Sequence, residues 1–208
     1  MVKRFLFPLL ILLFVIQSLN AISWHSFGAE YNNSTSNEFY DGEYVEATLD
    51  AVGFTYSFSV LSNAYDVGLF LHTAFLRPWG GIIRKPGDVY YYNFNNTKKP
   101  LLTSIMGGFA IREPISYLGD YYFGIGPNIH ILTFDTADDS IIGIDVGVGF
   151  KTGYVFYMSP MTFIDSGVLF DYSFTSHTKK NDGPWVKATD FGMYSLRTYI
   201  GIGLSPYF

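Results

Sequence analysis

The chain has 208 residues, a formal net charge of −5 and an isoelectric point of about 5.2, values that argue against nucleic acid as a partner. Aromatic residues make up 19% of the chain and charged residues only 15%, which is unlike a disordered protein. Because the sequence contains no cysteine, disulfides, cysteine-ligated metals and a thiol nucleophile are excluded.

The first 21 residues have the order of a secretory signal peptide. Lys3 and Arg4 precede an apolar run from Phe5 to Ile16, and the small residue Ala21 is a candidate cleavage position. The run is shorter than the roughly 20 residues of a spanning helix, which disfavours an N-terminal membrane anchor. We therefore expect residues 1–21 to be a removed signal and residues 22–208 to form one domain.

Eight later segments alternate with a period of two between large apolar residues and small or polar ones, as half-buried strands do. In the second segment, Val52, Phe54, Tyr56, Phe58 and Val60 share one face, and glycine, serine and threonine occupy the other. The predicted strands cover residues 22–31, 45–61, 66–77, 101–112, 120–134, 140–157, 162–174 and 193–208.

Short and long connections alternate between these strands. Residues 62–65, 113–116 and 158–161 are short turns, whereas 32–44, 78–100 and 175–192 are long and mostly polar. The link at 135–139 is shorter and acidic. This rhythm predicts a meander in which consecutive strands are antiparallel neighbours.

About eight such strands predict a closed barrel, either soluble and lipocalin-like with an apolar interior, or membrane-embedded with an apolar exterior. The strand face that carries small and polar residues favours the membrane-embedded barrel. Gly143, Gly147, Gly149 and Gly153, with Lys151 among them, suit a narrow interior, because glycine weakens a water-exposed strand. We predict an all-β fold, an eight-stranded antiparallel up-and-down transmembrane β-barrel.

The last predicted strand carries Ile200, Ile202, Leu204 and Phe208 on one face. An apolar alternation ending in a terminal phenylalanine resembles the signal that the barrel-assembly machinery reads in bacterial outer-membrane barrels, although Pro206 departs from it. With the signal peptide and the eight strands, the whole chain resembles the small outer-membrane barrels of the OmpX, OmpA-barrel, OmpW and opacity-protein kind. The resemblance implies a monomer in the bacterial outer membrane, in contact with its lipids.

Six charged residues point into the barrel by strand parity: Glu30, Asp145, Lys151, Asp165, Asp171 and Arg197. Glu30, Asp171 and Arg197 fall at similar heights, so Arg197 is placed to reach both acids, while Lys151 and Asp165 fall lower. A network of interior salt bridges is the favoured interpretation. Conduction or catalysis by these charges are the alternatives.

His72 and His130 also point inward, with Asn128 beside His130. Hydrogen-bonded interior histidines are the simplest interpretation. Zinc requires three or four converging ligands, and the sequence does not assemble them, so we expect no metal and no cofactor.

A lipid-modifying enzyme would need a serine and a histidine together on the lipid face, oriented by an acid. His25 and Ser26 fall on opposite faces, and Ser176 and His177 fall in a predicted loop. We therefore expect no catalytic residue and no enzyme.

Two functions remain open. The first is a barrel that displays four surface loops, with a structural, surface-antigen or adhesion role toward a host or neighbouring surface protein. The alternative is a narrow OmpW-like channel for small molecules, including hydrophobic ones, since Phe70, Leu102, Met106 and Leu169 point inward. The first and third outer loops, around residues 32–44 and 135–139, are acidic, and the second and fourth, around residues 78–100 and 175–192, are largely basic. This pattern favours either electrostatic attraction between neighbouring loops or a charged surface that binds a partner.

Overall fold

The computed structural model describes residues 21–40, 43–62, 66–94, 97–116 and 118–205. Nearly all of them belong to ten strands: β1 (Ala21–Tyr40), β2 (Glu43–Ser62), β3 (Val67–Lys85), β4 (Asp88–Asn93), β5 (Lys98–Ser116), β6 (Gly119–Asp135), β7 (Ser140–Tyr157), β8 (Thr162–Lys180), β9 (Val186–Lys187) and β10 (Thr189–Leu204). The predicted signal peptide, apart from Ala21, and the terminal Phe208 lie outside the described residues. No helix in the described ranges is long and apolar enough to cross a membrane.

Eight of the strands close into a barrel. The long strands β1, β2, β3, β5, β6, β7 and β8 pair in that order, and β10 pairs with both β8 and β1, all antiparallel. At the closing seam Glu30 lies opposite Tyr199, and Asn32 lies opposite Arg197. Closure satisfies the backbone groups that an open sheet would leave unpaired in lipid. The predicted fold class is confirmed.

The outward side chains of the barrel wall form an apolar surface. Phe27, Phe54, Phe109 and Ile202 are between 64% and 79% exposed, while the alternate positions carry mostly buried small or polar side chains. Such a surface is stable against hydrocarbon rather than water. The inverted, lipocalin-like arrangement is therefore excluded.

The first outer hairpin is longer than the sequence predicts. Of residues 32–44, predicted as a loop, those that the structure describes continue both strands, so that β1 runs to Tyr40 and β2 starts at Glu43. Above the apolar band both faces of a hairpin meet water, and hydrophobic alternation no longer marks the strand. β8 likewise continues to Lys180, and the predicted loop serine Ser176 lies within it.

β3 changes partner partway along its length. It pairs with β5 as far as Leu76 and Leu102, and beyond that point it pairs with β4 through residues 80–85. Pro78 on β3 and Pro100 on β5 lie just past the last pair, where a residue without an N–H group cannot donate to the ladder. The wall between β3 and β5 therefore ends earlier than the wall between the other strands.

Two apolar clusters fill the interior. The lower cluster lies toward the short turns, called here the inner end, and the upper cluster lies toward the long hairpins, called the outer end. The lower cluster contains Trp24, Leu61, Phe70, Met106, Tyr122, Phe163 and Leu169 with their neighbours. The upper cluster contains Ala51, Ala74, Leu76 and Leu102, with Leu49 and Leu132 packed against it. The predicted inward orientation of Phe70, Leu102, Met106 and Leu169 is confirmed.

Candidate functional site

Four charged or ionisable residues, named here the central network, meet in the middle of the barrel: Glu30, His72, Asp171 and Arg197. Arg197 Nε donates to Asp171 Oδ2 at 2.9 Å, and Arg197 Nη1 donates to Glu30 Oε1 at 3.2 Å. His72 Nε2 lies 2.6 Å from Glu30 Oε2. All four side chains are buried, so Arg197 on β10 joins β1 to β8 without contact to water.

Hydrogen bonds fix both interior histidines. His72 Nδ1 contacts the Ser57 hydroxyl, and its Nε2 lies 2.9 Å from Thr55 Oγ1. His130 Nε2 lies 2.8 Å from Asn128 Nδ2 and 3.6 Å from Asp171 Oδ2. Within the described ranges, no group of three or more histidine, aspartate or glutamate side chains is arranged to hold a metal ion.

Lys151 and Asp165 lie nearer the inner end and do not pair directly with each other in the described part of the chain. Lys151 Nζ donates to Ser57 Oγ at 2.9 Å and lies 4.8 Å from the ring centre of Tyr199 and 5.2 Å from that of Tyr122. The Tyr122 hydroxyl donates to Asp165 at 2.7 Å. The lysine charge is thus balanced by aromatic faces and by a carboxylate reached through shared tyrosines.

Asp145 is the one predicted lumen charge that the structure leaves outside these contacts. It lies opposite His130 on the wall, nearer the outer end of β7 than Lys151, and a hydrogen bond joins it to Ser176. No ion pair among the described residues includes it. It borders the cavity at the outer end of the interior, whose described lining contains no lysine or arginine.

Cavities lie on both sides of the central network. The inner one holds about 20 Å³ and is bordered by Ser57, Phe70 and Lys151, among others. The other, named here the outer vestibule, holds about 220 Å³ beneath the long hairpins. Its wall includes Asn32, Ser34, Glu38, Leu49, Leu102, His130, Leu132, Asp145 and Ser176. The inner cavity has room for little more than a single water.

The predicted assembly signal is partly within the described residues. Ile200, Ile202 and Leu204 point outward and are 58–64% exposed, on the face that meets lipid. Phe208, the fourth residue of the predicted signal, lies outside the described residues. These three side chains therefore contribute to the apolar band of the folded barrel. Their recognition by the assembly machinery before folding stays a prediction.

Ion pairs link the outer hairpins. Arg84 at the end of β3 pairs with Glu46 on β2, and Lys180 Nζ at the end of β8 lies 2.8 Å from Asp139 Oδ2. Asn181 Nδ2 donates to the same aspartate at 2.9 Å. The Lys180 hydrogen bond lowers the pKa of the Asp139 carboxyl. These pairs join acidic to basic segments, as the alternating loop charges lead one to expect.

Sequence patterns missed two features of the interior. His72 belongs to the central network, although its residue type alone did not connect it to Glu30. The outer vestibule was missed because residues 32–44 were assigned to a loop, which concealed the inward positions of Asn32, Ser34 and Glu38. Continuing the alternation of inward and outward positions beyond Glu30 would have placed these residues in the interior. Both strand faces are polar there, however, so hydrophobicity does not mark the strand.

No protein-family model matches the sequence, and no curated protein matches it significantly. Solved structures do match the fold. The outer membrane protein OprG from Pseudomonas aeruginosa aligns over 90% of this chain and 97% of its own, with a TM-score of 0.63 and 13% identity. Neisserial surface protein A aligns over 87% and 96%, with a TM-score of 0.56 and 13% identity. AlkL, determined in DMPC bilayers, aligns over 91% and 92%, with a TM-score of 0.56 and 11% identity. The chain therefore has the fold of the small eight-stranded β-barrels of bacterial outer membranes.

Proposed function

We propose that this protein is a closed, non-enzymatic outer-membrane barrel that displays its outer hairpins for interaction with a host or neighbouring surface protein. The observation that carries the proposal is the central network. Glu30, Asp171 and Arg197 are buried across the middle of the barrel, and Met106 lies with Asp171 against Gly149. A pore requires a continuous path for water, and a middle filled by paired charges and apolar side chains opposes one.

The outer hairpins supply the surface for display. β1 and β2 continue well beyond the apolar band, and the β3–β4 hairpin exposes Tyr90 and Tyr91, the latter to 83%. Aromatic residues are enriched where proteins meet one another. Ion pairs between neighbouring outer segments, such as that of Asp139 and Lys180, limit the freedom of this surface and so reduce the entropic cost of binding.

Planar-bilayer conductance of the refolded protein tests the closed interior. We expect a silent bilayer for the native sequence, and current steps for Arg197→Ala, which removes the side chain that spans the network. Arg84→Ala removes an exposed arginine at the outer end of β3, away from the interior, and should remain silent. Reproducible current steps from the native protein would contradict the proposal.

A second candidate function, a lateral route for small apolar molecules, has one observation in its favour. The β3–β5 ladder ends at Leu76 and Leu102, and the upper apolar cluster that includes both residues borders the outer vestibule. An apolar solute in the vestibule would therefore lie beside the shortest part of the wall. This route bypasses the central network and does not require it to open.

Two engineered disulfides separate the candidates. Arg77→Cys with Leu101→Cys would join β3 to β5 just beyond the last ladder pair, whereas Thr73→Cys with Ile105→Cys joins a pair that is already in register. Lateral passage predicts that oxidising the first pair, and not the second, slows uptake of a hydrophobic fluorescent probe by expressing cells. Equal uptake by both oxidised variants and the native protein would remove the channel candidate.

A further inference from the structure

The outer vestibule has walls of different character. Leu49, Leu102 and Leu132 form an apolar side contributed by β2, β5 and β6. The opposite sides, from β1, β7 and β8, present hydroxyl, amide and carboxyl groups, and β10 between β1 and β8 adds the apolar side chains of Phe191 and Met193. The volume of the vestibule is about 220 Å³. It is smaller than a typical pocket for a drug-sized ligand, so it suits a small molecule with one polar and one apolar side.

The charge of this cavity is uncompensated. Glu38 and Asp145 border it, neither takes part in an ion pair among the described residues, and no lysine or arginine is found in its described lining. Burial raises the pKa of the Glu38 carboxyl, as expected for an acid without a nearby cation. A positively charged group between the two carboxylates would relieve this cost.

A separate polar group in the cavity wall also lacks a partner. Asn32 is fully buried, and its Oδ1 accepts a hydrogen bond from Ser195 Oγ at 2.6 Å. Its Nδ2 group has no hydrogen-bond partner among the described residues. A buried donor left unpaired costs free energy, and an oxygen atom on a molecule in the vestibule would satisfy it.

We propose that the outer vestibule binds a small organic ammonium compound that also carries a hydrogen-bond acceptor. The ammonium group lies between Glu38 and Asp145, the acceptor meets Asn32, and the apolar part contacts the leucine wall. An organic cation fits better than a metal ion, because the described residues contain no cluster of three acidic or histidine ligands. The leucine side chains have no atom that could coordinate a metal, but they can contact the apolar part of an organic molecule. The site does not depend on the display role and would remain if the hairpins bound no protein.

Titration calorimetry of the refolded protein in detergent micelles tests the site, with tyramine as the probe and 4-hydroxyphenylacetate as its anionic counterpart. We expect saturable tyramine binding with a Kd below about 1 mM, and no binding of the anion. Glu38→Gln with Asp145→Asn should weaken tyramine binding at least about tenfold. Glu43→Gln with Asp138→Asn makes the same charge change on exposed outer segments and should alter binding less than about twofold.

A second variant blocks the cavity without changing its charge. A Cβ atom at Gly143 would meet only Leu132 O, at 4.0 Å, so Gly143→Leu can fill the vestibule from its wall. It should weaken tyramine binding at least about tenfold while the protein still migrates as a folded barrel on unheated gels. The proposal is overturned if tyramine does not bind saturably, if the exposed double variant weakens binding as much as the vestibule variant, or if Gly143→Leu binds like the native protein.

Discussion

Replacing Arg197 with methionine should destabilise the barrel strongly. The guanidinium group donates to carboxylates on two different strands, Glu30 and Asp171, and none of the three side chains meets water. Methionine keeps much of the volume but leaves two buried carboxylates without their cation. Removing one partner of a buried ion pair costs about 3–5 kcal/mol. Urea unfolding of the refolded protein in detergent micelles, followed by tryptophan fluorescence, measures the change in the free energy of unfolding.

An exposed arginine provides the control. Arg84 pairs with Glu46, but the two side chains are 53% and 35% exposed, so Arg84→Met should cost less than about 1 kcal/mol. Adding Glu30→Gln and Asp171→Asn to Arg197→Met should recover part of the loss, because the two carboxylates that Arg197 neutralised are then uncharged amides. If Arg197→Met costs no more than Arg84→Met, the central network is not a set of buried ion pairs.

Three further predictions concern other parts of the molecule. Phe54→Arg, which places a cation on the 79% exposed lipid face, should cost about 2–4 kcal/mol by urea unfolding. Gly143→Ala on the interior face should cost much less, and equal costs would mean that the two faces are assigned in reverse. Deleting Phe208 should reduce surface display in cells, measured by protease accessibility of the hairpins, far more than it lowers the urea midpoint; normal display would show that the residue is not an assembly signal. Because the pKa of Asp139 is lowered by Lys180, its ion pair stabilises the fold above the ordinary aspartate pKa and is lost as the pH falls through the lowered value. Carboxyl NMR titration of Lys180→Met should move that pKa upward, and an unchanged value would show that the pair does not form in solution.

The sequence predicts the membrane-embedded half of the barrel well, and the reason is the lipid. Wherever a strand crosses the apolar band, its lipid-facing side chains must be large and apolar, as at Val52, Phe54 and Phe58. Hydrophobicity therefore alternates with a period of two along these strands. Parity then places Glu30, Asp171 and Arg197 on the inner face. The contacts between them follow from strand order and height, which the alternation of short and long connections supplies.

Outside the lipid, alternating hydrophobicity no longer marks the strands. The β1–β2 hairpin continues through Asn33, Thr35 and Asn37 as outward residues and through Ser34 and Ser36 as inward ones. Both faces are polar because both meet water or a polar cavity. A strand of this kind is defined by its backbone ladder and not by its side chains, so its length and the vestibule it encloses emerge only in three dimensions.

The central network also has a consequence for how the barrel closes in the membrane. Glu30 and Arg197 are separated by 167 positions along the chain and meet only at the seam between the first and last long strands. In a sheet that has entered the bilayer unclosed, both charges would face hydrocarbon at a cost of about 2.5–3.5 kcal/mol for each such residue. This cost disfavours an open inserted sheet, so we expect insertion and closure to proceed together. Once the seam is shut, separating β10 from β1 would expose the same charges again, so we expect the network to slow unfolding in the membrane.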